Sequence, residues 1–205
     1  LRAEEKLEDQ GWEFVVSDWY QAADDISLLT KGLKMGTDGI FPGDADLNAA
    51  LTTLRMVLSP EEQVRFRGLS KLCAQAMDAA IHQLKPGISE FEIAAQLGAE
   101  AQKRGVQPIV NLIASDQRIY DFRHPLPTGK SLEKYAMLVL CGRQYGLVCS
   151  ITRLVHFGPM PAELKRKAQA VAEIDAVMIA ATRPGISLGE IFKQTQTKYA
   201  QTGFE

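Results

Sequence analysis

Residues 136–158 read AMLVLCGRQYGLVCSITRLVHFG, and this stretch decides the fold. Its first part, 136–141, is apolar or small throughout and runs into Gly142-Arg143-Gln144-Tyr145-Gly146. A β-branched-rich run follows from Leu147 to Phe157. Two strands joined by a glycine-bounded turn is the simplest reading. Both runs are almost continuously apolar, which predicts inner strands covered on both faces. A lone hairpin of this kind is marginal in water and needs helices packed on it.

The sequence on either side reads as those helices. Upstream, Ser59-Pro60-Glu61-Glu62 is a capping box with proline at the first helical position. Phe66, Leu69, Cys73, Ala76, Ala80 and Leu84 then recur at helical spacing, which makes Cys73 a core residue. Lys85-Pro86-Gly87 stops that helix, and Ser89 with Glu92 caps another that ends at Gly105. Gly105 leads into a predicted strand over 108–115. Downstream of the hairpin, Pro161 starts a helix with Leu164, Ala168, Val171, Ile174, Met178 and Ala181 facing inward. Arg183-Pro184-Gly185 ends it, and Ser187 with Glu190 caps the next, which closes at Gly203. The second set repeats the first at a constant offset of 98 residues, Pro-Gly-Ile-Ser-x-x-Glu-Ile against itself, with Gly203 in register with Gly105. This predicts a duplicated domain whose second copy stops where its strand and hairpin should begin.

Residues 1–46 read as the C-terminal part of a small α/β domain, with 47–205 as the main one. A helix is expected over 2–10, a strand over 12–19, and a helix over 22–33 with Ile26, Leu29 and Leu33 inward; 34–46 reads as a loop. Asp44-x-Asp46-x-Asn48 has the opening of a calcium loop, but Ala49 stands where glycine is required and Arg55 at the twelfth position, so calcium is rejected. Asp46 is expected to cap a helix over 47–58. The chain opens without methionine and reads as one cut at its N-terminus. A net charge of −2 gives no reason to expect nucleic acid or an anionic membrane as partner. No apolar run approaches the ~18 residues of a membrane span. Three cysteines without Cys-x-x-Cys spacing fit a reduced, cytoplasmic setting.

Of the three histidines, His82 is expected on the solvent side of the long helix and His156 inside an apolar strand. His124 differs. It sits in Arg123-His124-Pro125-Leu126-Pro127-Thr128, a proline-restrained loop just before the hairpin, where function concentrates. The residues alone leave its role open between structure and ligand contact.

A capping-box helix, Lys-Pro-Gly-Ile-Ser-Glu-x-Glu-Ile, Arg-Gly-Val, a His-x-x-Pro loop and a hairpin ending Ser-Ile-Thr-Arg follow one another in this chain. In that order they resemble the creatinase, prolidase, aminopeptidase P and methionine aminopeptidase superfamily, over roughly 47–205. The resemblance implies an α+β pita-bread fold with internal duplication, its second half truncated here, and residues 1–46 as the tail of the small N-terminal domain of the creatinase and aminopeptidase P branch. It implies hydrolysis near a peptide N-terminus or of a small amide or amidino substrate, two divalent ions (manganese, cobalt or zinc), and a homodimer. It also implies a substrate-binding role for His124.

In active relatives one hairpin aspartate lies in Asp-x-Gly and another opens Asp-Ile-Thr-Arg; a histidine and two glutamates further along complete the two-metal site. Here the second position is Ser150. The first falls at Val139 if the spacing of eleven is kept. It falls at Leu140, with Cys141 as the nearest possible ligand, if Gly142 is matched. None is a carboxylate. Cys141 with Cys149 and downstream histidines could hold one zinc, although cysteines in apolar strands are usually inert core thiols. Two expectations follow from the resemblance: a hydrolase with a replaced, reduced or absent metal centre, as creatinase works without metal, or a catalytically silent relative that binds a peptide or protein.

Overall fold

The computed structural model describes residues 6–18, 20, 25–39 and 45–204. The chain divides into two compact units, Leu1–Ser59 and Pro60–Glu205. The division therefore falls later than the 46/47 boundary read from the sequence, and the helix after Asp46 clusters with the first unit.

In the first unit a 3₁₀ turn, Leu7–Gln10, is all that is described of the helix expected over 2–10. Residues 12–18 form no strand, and Trp12, Val15 and Val16 are exposed. A β-rich composition needs a hydrogen-bonding neighbour, and this run joins no sheet among the described residues. Helix α1 (Asp25–Leu29) is shorter than expected, and Ile26, Leu29 and Leu33 face solvent rather than inward. The stretch read as a loop contains a parallel pairing of β1 (Gly36–Thr37) with β2 (Ala45–Asp46). Asp44 lies outside the described residues. The Asp46 carboxylate accepts from the Asn48 N–H at 2.9 Å, satisfying one free donor at the start of α2 (Asn48–Met56).

The second unit begins with α3 (Pro60–Ile81), whose Leu69, Cys73, Ala76 and Ala80 are buried as the stripe requires. Helix α4 (Glu90–Gln102) follows Gly87, which turns the chain at φ 94°. Strand β3 (Gln107–Ser115), the single turn α5 (Arg118–Asp121), β4 (Tyr135–Gln144) and β5 (Leu147–His156) come next, then α6 (Ala162–Ala181) and α7 (Leu188–Thr202). No helix of the described residues is long and apolar enough to cross a membrane.

The three strands form an antiparallel sheet in the order β3-β4-β5. The hairpin turn is tighter than read: Gln144 pairs with Leu147, leaving only Tyr145 and Gly146 between the strands. Their φ values of 51° and 79° are those of a type I′ turn, whose twist suits the flanking strands. Helices α3 and α4 lie on one face of the sheet. Ala136, Leu138 and Leu140 of β4 are fully buried beneath them, with Ile93 and Leu97 of α4.

The expectation that both hairpin faces are covered is met among the described residues on one face, that under α3 and α4. On the other, Val148 and Leu154 of the edge strand β5 are about half exposed. The apolar run of β5 thus places apolar side chains on both faces of the strand.

The two duplicated capping boxes form. Ser89 Oγ accepts from the Glu92 N–H at 3.2 Å while the Glu92 carboxylate accepts from the Ser89 N–H at 2.9 Å. Ser187 and Glu190 repeat this at 3.2 Å each way. Gly105 and Gly203 both sit at φ 71°. The duplicated punctuation is thus a duplicated geometry. The inward stripe expected of α6 is only partly met. Ala170 and Ile174 are buried against α7, whereas Val171 and Met178 are substantially exposed. Among the described residues α7 covers one side of α6, and the stripe is wider than that side.

Gly142 leaves no room for a side chain between β4 and the residues packed on it. A Cβ there would lie 2.5 Å from both Cys73 Sγ and Val106 Cγ1. Gly142→Ala is expected to cost about 1–3 kcal/mol through overpacking, measured by urea denaturation. A cost below about 0.5 kcal/mol would mean that the helix can simply step back.

Candidate functional site on the open sheet face

Strand alternation sorts the hairpin into two sets. Val139 and Cys141 share the open face with Ser150 and Thr152, because Cys141 pairs with Ser150 and Val139 with Thr152. Cys141 Sγ and Ser150 Oγ are 3.4 Å apart. Leu140 points the other way, into the core. Both remaining candidates for the first aspartate position therefore share a face with Ser150, and Cys141 is the one in contact with it. Val110 and Leu112 on β3 and Met137 on β4 are their apolar neighbours on this face.

Cys141 and Cys149 lie on opposite faces of the sheet, since Cys149 pairs with Gly142. A single zinc ion cannot be shared across a strand in this way. Cys149 instead packs toward Cys73 in the core. Burial first, and then the neighbouring Cys149, pushes the Cys73 thiol up to about 11, so it stays protonated at neutral pH. No group of three or more His, Cys, Asp or Glu side chains that could hold a metal occurs among the described residues.

His124 sits on the connection between β3 and β4 and is exposed. From Tyr135, at that end of β4, Val139 is about 13 Å along the strand and Cys141 about 20 Å. The connection is tied down at both ends. Asp116 leaves β3 at φ 53°, a left-handed conformation that aspartate tolerates. Its carboxylate accepts from the backbone N–H groups of Glu133, Lys134 and Tyr135 at 2.8–2.9 Å, with Lys130 Nζ at 3.4 Å. Burial alone would raise the Asp116 pKa; the backbone donors outweigh it and hold the carboxyl below its ordinary value.

The other tie is a buried carboxylate. Glu90, fully buried at the start of α4, accepts from the N–H and hydroxyl of Ser115, both at 2.8 Å. It also accepts from the N–H and hydroxyl of Thr128, at 2.9 and 2.7 Å. Arg118 Nε adds a charged donor at 3.1 Å. Sequence reading missed Glu90, Ser115, Arg118 and Thr128, because a glutamate in the first turn of a helix reads as a favourable partner for the helix dipole. A signal was available in the duplication: the position matching Glu90 in the second copy is Leu188, which is exposed. A carboxylate in only one copy points to a task beyond punctuation.

His82 is exposed, with its Nδ1 2.8 Å from the Asp78 carbonyl oxygen. His156 is half-buried on the open face, its ring 5.8 Å from that of Tyr135.

The profile of metallopeptidase family M24 matches residues 65–205, taking in the duplicated helices, the His124 connection and the hairpin. The chain belongs to this family. M24 chains of known structure confirm the pita-bread fold. A prolidase from Pyrococcus furiosus superposes with a TM-score of 0.82 at 19% identity, over 98% of this chain and 64% of its own. A Bacillus anthracis Xaa-Pro dipeptidase gives 0.80 at 21% identity, over 98% and 63%. Among curated sequences, an uncharacterized peptidase of Bacillus subtilis, YqhT, is 27% identical over 154 residues. That match spans 74% of this chain and 44% of the relative. The chain thus spans a little under half the length of the curated relatives it matches. Within this M24 chain, Val139, Cys141 and Ser150 offer an alkyl group, a thiol and a hydroxyl on the face where the resemblance places metal-binding carboxylates.

Proposed function

We propose that this protein carries an M24-type cleft for a peptide N-terminus or a small amide or amidino substrate, with His124 binding the ligand and a hairpin that does not hold a pair of divalent ions. The observation that carries the reading is the Cys141–Ser150 contact, a thiol against a hydroxyl with no carboxylate paired beside them on the sheet. Two divalent cations about 4 Å apart repel by about 4 kcal/mol even at the dielectric of bulk water, and more in a cleft. Anionic oxygens offset that repulsion in two-metal sites and supply the hard ligands that such ions prefer. A neutral hydroxyl beside a thiol and a valine does neither, so the residues present do not fit the centre and no chemical step is assigned to metal. What remains is hydrolysis with a replaced, reduced or absent metal centre. A second reading is a peptide- or protein-binding module without turnover, and the apolar lining of the same face favours it.

Elemental mass spectrometry of the full-length protein, purified without chelator, tests the first claim. Less than about a tenth of an equivalent of manganese, cobalt or zinc per chain is expected, against the two equivalents of a complete dinuclear site. Two equivalents would overturn it. Assays on Xaa-Pro peptides then separate the readings: turnover supports hydrolysis, and binding that His124→Ala abolishes, without turnover, supports the module.

A further inference from the structure

We propose that Glu90 and Arg118 form a buried clamp that fixes the loop 122–128 and thereby sets the position of His124. The inference rests on the reading of His124 as a ligand-binding residue and adds the two positioning residues that act through it. Both carboxylate oxygens of Glu90 are committed. One accepts from Ser115, at the end of β3, and from Arg118; the other accepts from Thr128, at the far end of the loop. Arg118 extends the reach. Its Nη2 donates to the Leu126 carbonyl at 2.8 Å, and its guanidinium lies 5.0 Å from the centre of the Phe122 ring. The residues before and after His124 are therefore tied to a single buried carboxylate, and Pro125, next to it, is itself buried.

A charge placed fully out of water is a poor device for stability alone, because an apolar residue of similar size often serves as well or better. It is a good device for geometry. Charge-assisted hydrogen bonds in a low-dielectric setting are strong and directional, and a guanidinium fork fixes orientation as well as distance. Proline on both sides of Leu126 removes further backbone freedom. The result is an exposed imidazole on an anchored loop, the arrangement that lowers the ordering cost of binding.

Two variants test the clamp. Arg118→Met keeps the packing of the aliphatic stem but loses the fork. Glu90→Gln keeps the shape but turns one acceptor toward a donor. Histidine-selective isotope labelling reads the imidazoles directly, with the His124 and His82 signals assigned by their loss in His124→Gln and His82→Gln. Both clamp variants are expected to shift or broaden the His124 signal while that of His82 stays in place. They should also speed exchange of the Thr128 amide by about tenfold or more, with the Ile93 amide in α4 unchanged. Affinity for the tripeptide Ala-Pro-Ala should fall about fivefold or more in Arg118→Met. An unmoved His124 signal with native exchange at Thr128 in both variants would overturn the clamp. Loosening of the loop with unchanged peptide affinity would overturn its positioning role. Failure of the wild-type protein to bind the peptide would instead sink the reading of His124 as a ligand-binding residue, while the imidazole and amide signals still decide whether the clamp exists.

Discussion

Glu90→Ala is expected to lower stability by about 3–5 kcal/mol, the cost of removing one partner from a buried, hydrogen-bonded charge pair. Four donors from Ser115 and Thr128 lose their acceptor, and the Arg118 guanidinium loses its counter-charge in a mostly buried position. For a protein of this size that is a drop on the order of 10 °C in melting temperature. Urea denaturation at neutral pH would measure it, and a loss under about 1 kcal/mol would show that water replaces the carboxylate with ease.

The effect carries a pH signature. Burial by itself raises the Glu90 pKa, but the donors from Thr128 and Ser115 more than reverse it, and the net value is lowered from 4.5. A carboxyl with a depressed folded pKa stabilises fully above its unfolded value and loses that contribution as pH falls through the folded one. The gap between wild type and variant should therefore be full above pH 4.5 and close below it. Asp116 is shifted in the same direction. Glu100, hydrogen-bonded first by Lys103 and then by Arg104, is lowered to about 2, which extends the acid loss of stability toward that pH.

Leu138→Ala is expected to cost about 2–5 kcal/mol, and its neighbour Val139→Ala about 1 kcal/mol or less. Leu138 is fully buried beneath α3 and α4, so truncation leaves a cavity that rigid elements on both sides cannot close. Val139, one residue on, faces the open side and is only partly covered. The pair thus measures the two-faced character of the central strand. Equal, large costs would show that the open face is sealed as tightly as the core and would remove the surface proposed to meet a ligand.

Where a feature is set by neighbouring residues, the sequence was a sound guide. Ser89 with Glu92, Ser187 with Glu190, and the two closing glycines act within a turn of themselves, so spacing alone exposes them. The stripe of α3 was legible because Leu69, Cys73, Ala76 and Ala80 recur at helical spacing and are buried against the sheet and α4. The same grammar misled over 12–18 and on α6, where apolar residues are present but only part of the expected packing surface is found among the described residues. The tight Tyr145-Gly146 turn was hidden because tyrosine is not the residue normally placed at a positive φ. At the site, His124 stood out by its loop. Glu90 did not, because its partners Ser115, Arg118 and Thr128 lie 25 or more residues away, and nothing local distinguishes it from a helix-start charge.

The Asp116 tie has a kinetic meaning. Strands β4 and β5 are joined by a two-residue turn and can zip within about 1–10 μs, as local hairpins do. Strand β3 must wait for a long connection to close, with the entropy that closing a loop costs. The carboxylate of Asp116 meets three amides at the far end of that connection, beside the first residue of β4. It would act as the latch that converts a chance encounter of β3 with the preformed hairpin into registered pairing. Removing it should slow folding more than it speeds unfolding.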